Sequence, residues 1–301
     1  MDELTLRDPD GVDIFYRRWL PAGTPTAIVL VLHGASEHSG RYARFAEVLT
    51  GAGYAVYAHD HRGHGVTGKG HGVGLPGPRG FDGVLDAIQA VHERAVADLG
   101  ALPVIVFGHS MGSVFTQIFA QQHGSELAAF ALCGSLAASP ELGEMIAGLQ
   151  MAVDGGMGDQ PLDMLGGFNA SFEPARTPFD WLSRDEAEVD AYLADEFCGS
   201  NNPLSFGYTL GLLQLVQRGS DPEAIAAIPA GMPVLLVTGM ADPVSSGGEL
   251  VHGLEDRYRA AGLTVESHYY PEARHELLNE TNRADVDADI VHWLATVAVR
   301  V

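Results

Sequence analysis

The chain has 301 residues, 46% of them hydrophobic, and carries 17 basic against 39 acidic side chains for a formal charge of −22. That length buries one large core or two modest ones, and that acidity opposes binding to nucleic acid or anionic bilayers, which leaves small or neutral substrates. Cys133 and Cys198 are too few for a disulfide framework, no apolar run reaches the roughly 18 residues that span a bilayer, and the acidic opening lacks a signal-peptide core, so a cytoplasmic protein with buried free thiols and no transmembrane segment is expected.

In chain order, residues 4–7 and 12–20 are strand-like runs around Pro9-Asp10-Gly11, a turn signal that predicts an opening hairpin. Residues 27–32 are apolar at every position, the pattern of a strand covered by helices on both faces. Similar runs recur at 55–58, 104–107, 128–132 and 234–237, with a more amphipathic one at 264–270. Helix-like segments lie near 41–50, 83–98, 113–122, 247–261 and 283–297. This alternation predicts an α/β fold with a mostly parallel central sheet flanked by helices. The rhythm breaks between about 137 and 220, where glycine-rich pieces, Pro174 and Pro178, a charged helix-like run at 183–196 and apolar stretches at 145–153 and 206–216 follow one another. So long and apolar a segment is more than a linker. It predicts a cap over residues 137–220, inserted into a core of residues 1–136 and 221–301.

The apolar run at 104–107 leads straight into Gly108-His109-Ser110-Met111-Gly112 and then into a helical pattern. Strand, G-x-S-x-G and helix together describe a nucleophile elbow, a turn too tight for side chains at the two glycines, which exposes the serine hydroxyl. A serine needs a base to become a nucleophile. In α/β-hydrolases the order is serine, acid, histidine, with the acid and histidine after late strands. Asp242 follows the run at 234–237, and His275 follows the one at 264–270. The expected roles are Ser110 as nucleophile, His275 as base and then acid, and Asp242 as the group that orients the imidazole. The backbone N–H groups of Met111 and Ala35, the latter after the first long strand, are the expected oxyanion donors.

With these residues placed, the chain resembles the monoacylglycerol lipase and lysophospholipase branch of the α/β-hydrolases, also called serine aminopeptidase-like. The resemblance rests on His33-Gly34-Ala35-Ser36-Glu37-His38-Ser39-Gly40-Arg41-Tyr42, Asp60-His61-Arg62-Gly63-His64-Gly65, the elbow, and Ala273-Arg274-His275-Glu276, and it extends over nearly the whole chain. It implies that Glu37 and Arg41 lie near the exit cavity for the alcohol and contact substrate. Three positions depart from the pattern: Ser36 and Ser113 stand where the lipases often have glycine, and Leu278 where some carry a second histidine.

His59, His61 and His64 have the H-x-H-x-x-H spacing of binuclear zinc hydrolases, but Gly63 occupies the place of the required aspartate. Hydrogen-bonding histidines are expected there, with no metal and no cofactor. The expected function is a serine hydrolase of carboxylic esters, acting on short to medium acyl chains or monoacyl lipids, with at most transient membrane contact through the cap. Two other readings stay open at this stage. One is an aminopeptidase-type amide hydrolase, with Glu186, Glu188, Asp190, Asp195 and Glu196 as an anionic site; the other is a non-catalytic small-molecule binding protein on the same fold.

Overall fold

A strand that is apolar at every position must be covered on both faces, and the five such runs of this chain lie side by side in the middle of one sheet. The computed structural model describes residues 1–298. The chain opens with an antiparallel hairpin of β1 (Asp2–Arg7) and β2 (Asp13–Trp19). There follow β3 (Ile28–Leu32), α1 (Ala43–Gly51), β4 (Ala55–His59), α2 (Gly65–His71), α3 (Phe81–Leu99), β5 (Val104–His109), α4 (Met111–His123) and β6 (Ala129–Cys133). After a long insertion the sheet resumes with β9 (Pro233–Gly239), α9 (Glu249–Ala260), β10 (Thr264–Tyr270) and α10 (Arg283–Val297). The strand order is β1-β2-β4-β3-β5-β6-β9-β10. The pairs β1–β2 and β2–β4 are antiparallel and all the others parallel.

Period-two alternation divides the core. Leu30, Val106, Leu132 and Leu236 face one side and pack with Ile88 of α3, Phe115 of α4 and Leu254 of α9. Val31, Phe107, Ala131 and Val237 face the other side and pack with Phe45 of α1 and Ile290 of α10. Every residue of β3, β4, β5 and β6 is buried.

The insertion contains α5 (Leu142–Ala152), the paired two-residue strands β7 (Pro161–Leu162) and β8 (Leu204–Ser205), α6 (Glu186–Ala194) and α7 (Phe206–Gly219), and the single turn α8 (Pro222–Ile225) follows it. Its own small core joins Phe179, Trp181, Leu182, Val189, Tyr192 and Cys198. The expected helix at 183–196 is shorter: α6 starts only after Asp185, whose carboxylate caps Ala187 N–H. The two preceding residues are drawn away, since Ser183 Oγ donates to Asn279 O at 2.8 Å and Arg184 Nε to Glu280 Oε2 at 2.9 Å. The helix α2 departs from the sequence expectation. Its seven residues include three glycines, and propensity alone would not make it helical.

Candidate active site

Between β5 and α4 the backbone turns at Ser110 with φ 51° and ψ −120°. The turn explains both glycines. A Cβ on Gly108 would stand 2.2 Å from Gly112 O, and one on Gly112 would stand 2.1 Å from Leu32 O, the end of the neighbouring strand. A non-glycine residue at positive φ is held by its surroundings at a cost of about 1–3 kcal/mol. Here Ser110 N–H donates to Cys133 O at 3.0 Å, and the buried Ser113 hydroxyl bonds Ser110 O at 2.5 Å.

The end of β9 brings Asp242 to the same rim. One carboxylate oxygen accepts from Val244 N–H at 2.9 Å, and the other from His275 Nδ1 at 3.0 Å. Both side chains are buried. With Nδ1–H committed to Asp242, Nε2 is the acceptor. His275 and Ser110 line one small chamber of about 20 Å³. The histidine loop is also held by the insertion: Glu276 N–H donates to Leu182 O at 2.8 Å, and the Trp181 ring lies 5.1 Å from the imidazole. Burial pushes the His275 pKa down, but the charge and hydrogen bond of Asp242, aided by Glu276 and Glu37, outweigh it and leave the imidazole above its usual 6.5. The His109 ring, 4.8 Å away, is pushed down to about 4 by burial and by His275.

The loop after β3 is pinned on both sides of Gly34. Gly34 N–H donates to Glu37 Oε1 at 2.5 Å, while Gly34 O accepts from His33 Nδ1 at 2.7 Å. His33 Nε2 in turn accepts from His61 N–H at 3.0 Å, which fixes the tautomer. Because a trans peptide is planar, anchoring the Gly34 carbonyl also fixes the direction of the Ala35 N–H. Among the described residues the N–H groups of Ala35 and Met111 have no hydrogen-bond partner. Both residues, with Ser110, line a cavity of about 340 Å³ whose other walls are chiefly apolar, including Leu142, Met145, Phe168, Leu213 and Val216 of the insertion.

Glu37 and Arg41 belong to a buried ionic knot. Arg41 donates to Glu37 Oε2 at 2.7 Å and, through both terminal nitrogens, to Glu276 at 2.5 and 2.8 Å. Tyr42 Oη adds a bond to Glu37 Oε1 at 2.7 Å, and Asn279 one to Glu276 Oε2 at 2.9 Å. Burial pushes both carboxyls up, but the Arg41 guanidinium more than offsets it and both stay below the usual carboxylate range. Glu37 borders the chamber with Ser110 and His275, whereas Arg41 borders a neighbouring space of about 10 Å³, room for a water at most.

Residues 23–282 match the family described as "Serine aminopeptidase, S33". The chain is 32% identical over 294 residues to a monoacylglycerol lipase of Mycolicibacterium smegmatis, covering 95% of this chain and 94% of that one. To a monoglyceride lipase of Homo sapiens it is 32% identical over 288 residues, covering 92% and 88%. The crystal structure of a thermostable carboxyl esterase from Bacillus coagulans, in complex with glycerol, superposes with a TM-score of 0.92 at 27% identity, covering 99% of this chain and 98% of that one. The chain belongs to the serine aminopeptidase S33 family. It is an α/β-hydrolase of the esterase and lipase kind.

Within this S33 chain, two of the three departures noted in the sequence, Ser113 and Leu278, have local explanations. Ser113 bonds the elbow carbonyl, as described above. Leu278 is packed in the core beside α10, with its carbonyl accepting from Arg44 at 2.7 Å. Ser36 keeps a positive φ of 54° without being glycine. The histidine run forms a buried cluster, with His61 Nδ1 2.9 Å from His59 Nε2. Burial pushes His59 down to about 3 and His64 to about 4. Of the acidic residues considered as an anionic site, Asp190 pairs with Arg176 and Glu196 with Lys69 on the surface, and Asp195 with the half-buried His38 of the loop after β3. Sequence reasoning overlooked His33, Trp181 and Glu276 as partners of the site. His33 is signalled by its place beside Gly34 and Glu276 by its place beside His275; Trp181 meets the site only through folding.

Proposed function

We propose that this protein cleaves carboxylic esters through an acyl-enzyme formed on Ser110. The observation that carries the reading is the buried Asp242–His275 hydrogen bond, which leaves Nε2 unprotonated in a chamber shared with Ser110. In this mechanism His275 Nε2 takes the Ser110 proton as Oγ bonds to the carbonyl carbon, and the carbonyl π electrons move onto oxygen. The unpartnered N–H groups of Ala35 and Met111 receive that oxyanion. Collapse breaks the bond to the alcohol, which takes the proton from the imidazolium. Water then repeats the sequence on the acyl-enzyme and releases the acid.

The acyl chain lies in the apolar cavity of about 340 Å³, within the range of small-molecule sites. Residues 137–220 act as its cap, over a core of residues 1–136 and 221–301. Glu37 meets the departing alcohol, with Arg41 behind it. The names of the relatives support a monoacylglycerol or another monoacyl ester as substrate. No described helix is long and apolar enough to cross a membrane, and the exposed Met145 and Met151 of α5 support transient contact with a lipid surface. A cytoplasmic setting is supported by the free, buried Cys133 and Cys198.

Ser110→Ala tests the reading. The variant should fold as the parent does, lose fluorophosphonate labelling, and hydrolyse a p-nitrophenyl acyl ester at least about a thousandfold more slowly. Substantial residual turnover with an acyl burst would refute Ser110 as nucleophile. An amino-acid anilide should be a far poorer substrate than the ester, since the single acidic residue on the wall of the large cavity, Glu141, is exposed at its rim.

A further inference from the structure

The turn that follows α6 meets the loop after β3 at a cluster of three unlike side chains. His38, Asp195 and Cys198 bring an imidazole nitrogen, a carboxylate oxygen and a sulfur within 4.8 Å of one another, and among the described residues no other three metal-ligating side chains converge so closely. His38 Nε2 lies 3.0 Å from Asp195 Oδ2. These two residues are half-buried, whereas Cys198 is a free thiol, 1% exposed. Its sulfur forms no hydrogen bond among the described residues and faces the pair.

The backbone holds the three donors in place. Cys198 N–H donates to Asp195 O at 3.3 Å, Asn201 Nδ2 donates to the same carbonyl at 3.0 Å, and Asp195 Oδ1 accepts from Phe197 N–H at 2.8 Å, which closes residues 195–198 into a turn. That turn is tied to the loop after β3 by Gly199 N–H and Tyr192 Oη, which donate to Ser36 O at 2.9 and 3.0 Å. Nitrogen, oxygen and sulfur together are the donors of a tetrahedral zinc-like ion, whose bonds of about 2.0–2.3 Å place ligand atoms about 3.3–3.8 Å apart. A closure of about 1 Å at the widest pair reaches that spacing, and the Asp195 side chain, 29% exposed, has the freedom to make it. Thiol and imidazole select against magnesium and calcium, which take oxygen ligands. The charge fits as well. Cys198 lies in the field of Arg41, Glu37 and Glu276, where two carboxylates outnumber one guanidinium and Asp195 adds a third, so a dication enters negative surroundings.

We propose that His38, Asp195 and Cys198 bind one zinc-like divalent cation, which pins the insertion to the loop that carries Ala35 and Glu37. His38 Nδ1 accepts from Gly40 N–H at 3.2 Å, so Nε2 holds the proton shared with Asp195. The ion takes the place of that proton, which passes to Nδ1 at the expense of the long bond to Gly40. Cys198 binds as the thiolate and its proton goes to solvent, so one proton is released per ion. Water completes the four-coordinate shell.

Titration of the full, reduced chain with Co²⁺, a spectroscopic substitute for Zn²⁺, tests the site. One equivalent should raise the thiolate-to-cobalt charge-transfer band in the near ultraviolet, and Zn²⁺ but not Mg²⁺ should bleach it. Cys198→Ser should lack the band and bind Zn²⁺ at least about a hundredfold more weakly, and His38→Gln should keep the band with binding at least about tenfold weaker, since losing even an outer partner of a metal site costs about tenfold to a hundredfold. Zn²⁺ should raise the thermal midpoint of the parent and leave that of Cys198→Ser unmoved, because only the folded parent holds all three ligands together. A band that persists in Cys198→Ser, an unchanged affinity in His38→Gln, or equal midpoint shifts in parent and Cys198→Ser overturns the proposal. So does a folded parent that shows no band. None of these readouts uses turnover, so the metal site holds or fails separately from the esterase reading.

Discussion

Two helices of this chain invert the usual relation between polarity and burial. In α4, which follows the elbow, every residue from 111 to 121 is buried, although Ser113, Thr116, Gln117 and Gln121 are polar. Each polar side chain is used: Thr116 bonds Gly112 O at 2.8 Å, Gln117 bonds Leu136 O at 3.1 Å, and Gln121 bonds Gly219 O at 3.3 Å. In α5, roofing the large cavity, only Leu142 is buried, although the sequence L-G-E-M-I-A-G-L-Q-M-A is mostly apolar. Met151 is 76% exposed. The sheet-bound helix spends its surface on holding one geometry. The roof helix packs Leu142, Ile146 and Leu149 against the core but leaves Met145 and Met151 exposed, apolar surface turned toward what the helix meets. Rim residues should therefore resist change strongly, in both rate and stability, while roof residues should tolerate it.

The largest effect belongs to the rim. Asp242→Asn is expected to lower kcat about ten-thousandfold, since the amide can hold His275 in the wrong tautomer. The pH profile sharpens the assignment. A base must be neutral to accept a proton, so the rate should fall about tenfold per pH unit below the base's pKa. Burial lowers that pKa in His275 and Asp242 more than restores it, so the acid limb of kcat/KM should have its midpoint above 6.5 in the parent. In Asp242→Asn the limb should shift to lower pH. His109, His64 and His59, pushed down to about 4, 4 and 3, stay neutral throughout this window. An identical limb in parent and variant would remove Asp242 as the partner of the base.

Next in size is the ionic knot. Arg41→Met leaves Glu37 and Glu276 buried without their cation, and loss of one partner of a buried pair destabilises by about 3–5 kcal/mol. Denaturant unfolding should show it as a shift in midpoint. Arg41→Met combined with Glu276→Gln should lose less than the two single losses added together, because the second change removes one of the charges the first has stranded. A loss below about 1 kcal/mol for Arg41→Met would mean that the knot does not tie the loop after β3 to the histidine loop.

How much of this was legible in the sequence follows the same division. The strands of the sheet announce themselves because burial on both faces demands uninterrupted apolar runs, and Asp242 and His275, the proposed acid and base, follow the ends of two late strands. The glycines of the elbow were readable for the same reason, since their neighbours are close in sequence. The helix α2 was not, because its form depends on contact: a Cβ on Gly68 would lie 2.5 Å from Gly63 C, so the glycine that weakens the helix is the one that lets it dock. Glu276 was invisible as a partner because Arg41 lies 235 residues away. The interior of the insertion was the least legible. Its order comes from distant hydrogen bonds such as Arg184 to Glu280 and Arg283 to Asp185, and no local period encodes them.

The smallest effect belongs to the roof, and its smallness is the point. Met151 is exposed on α5 and borders none of the cavities described above. Met151→Ser is therefore expected to change stability by less than about 0.5 kcal/mol and to leave the hydrolysis of a water-soluble short-chain ester as it was. On an ester presented in micelles or neutral vesicles, removing an apolar contact with the surface should raise KM about twofold to threefold with kcat unaltered, because binding to the lipid phase is weakened and the chemistry is untouched. Charge reinforces the distinction: anionic vesicles should be poorer supports than neutral ones for a chain of net charge −22. If Met151→Ser slows both substrates equally, or lowers the thermal midpoint as a core change would, α5 is part of the packed scaffold and the contrast with α4 fails.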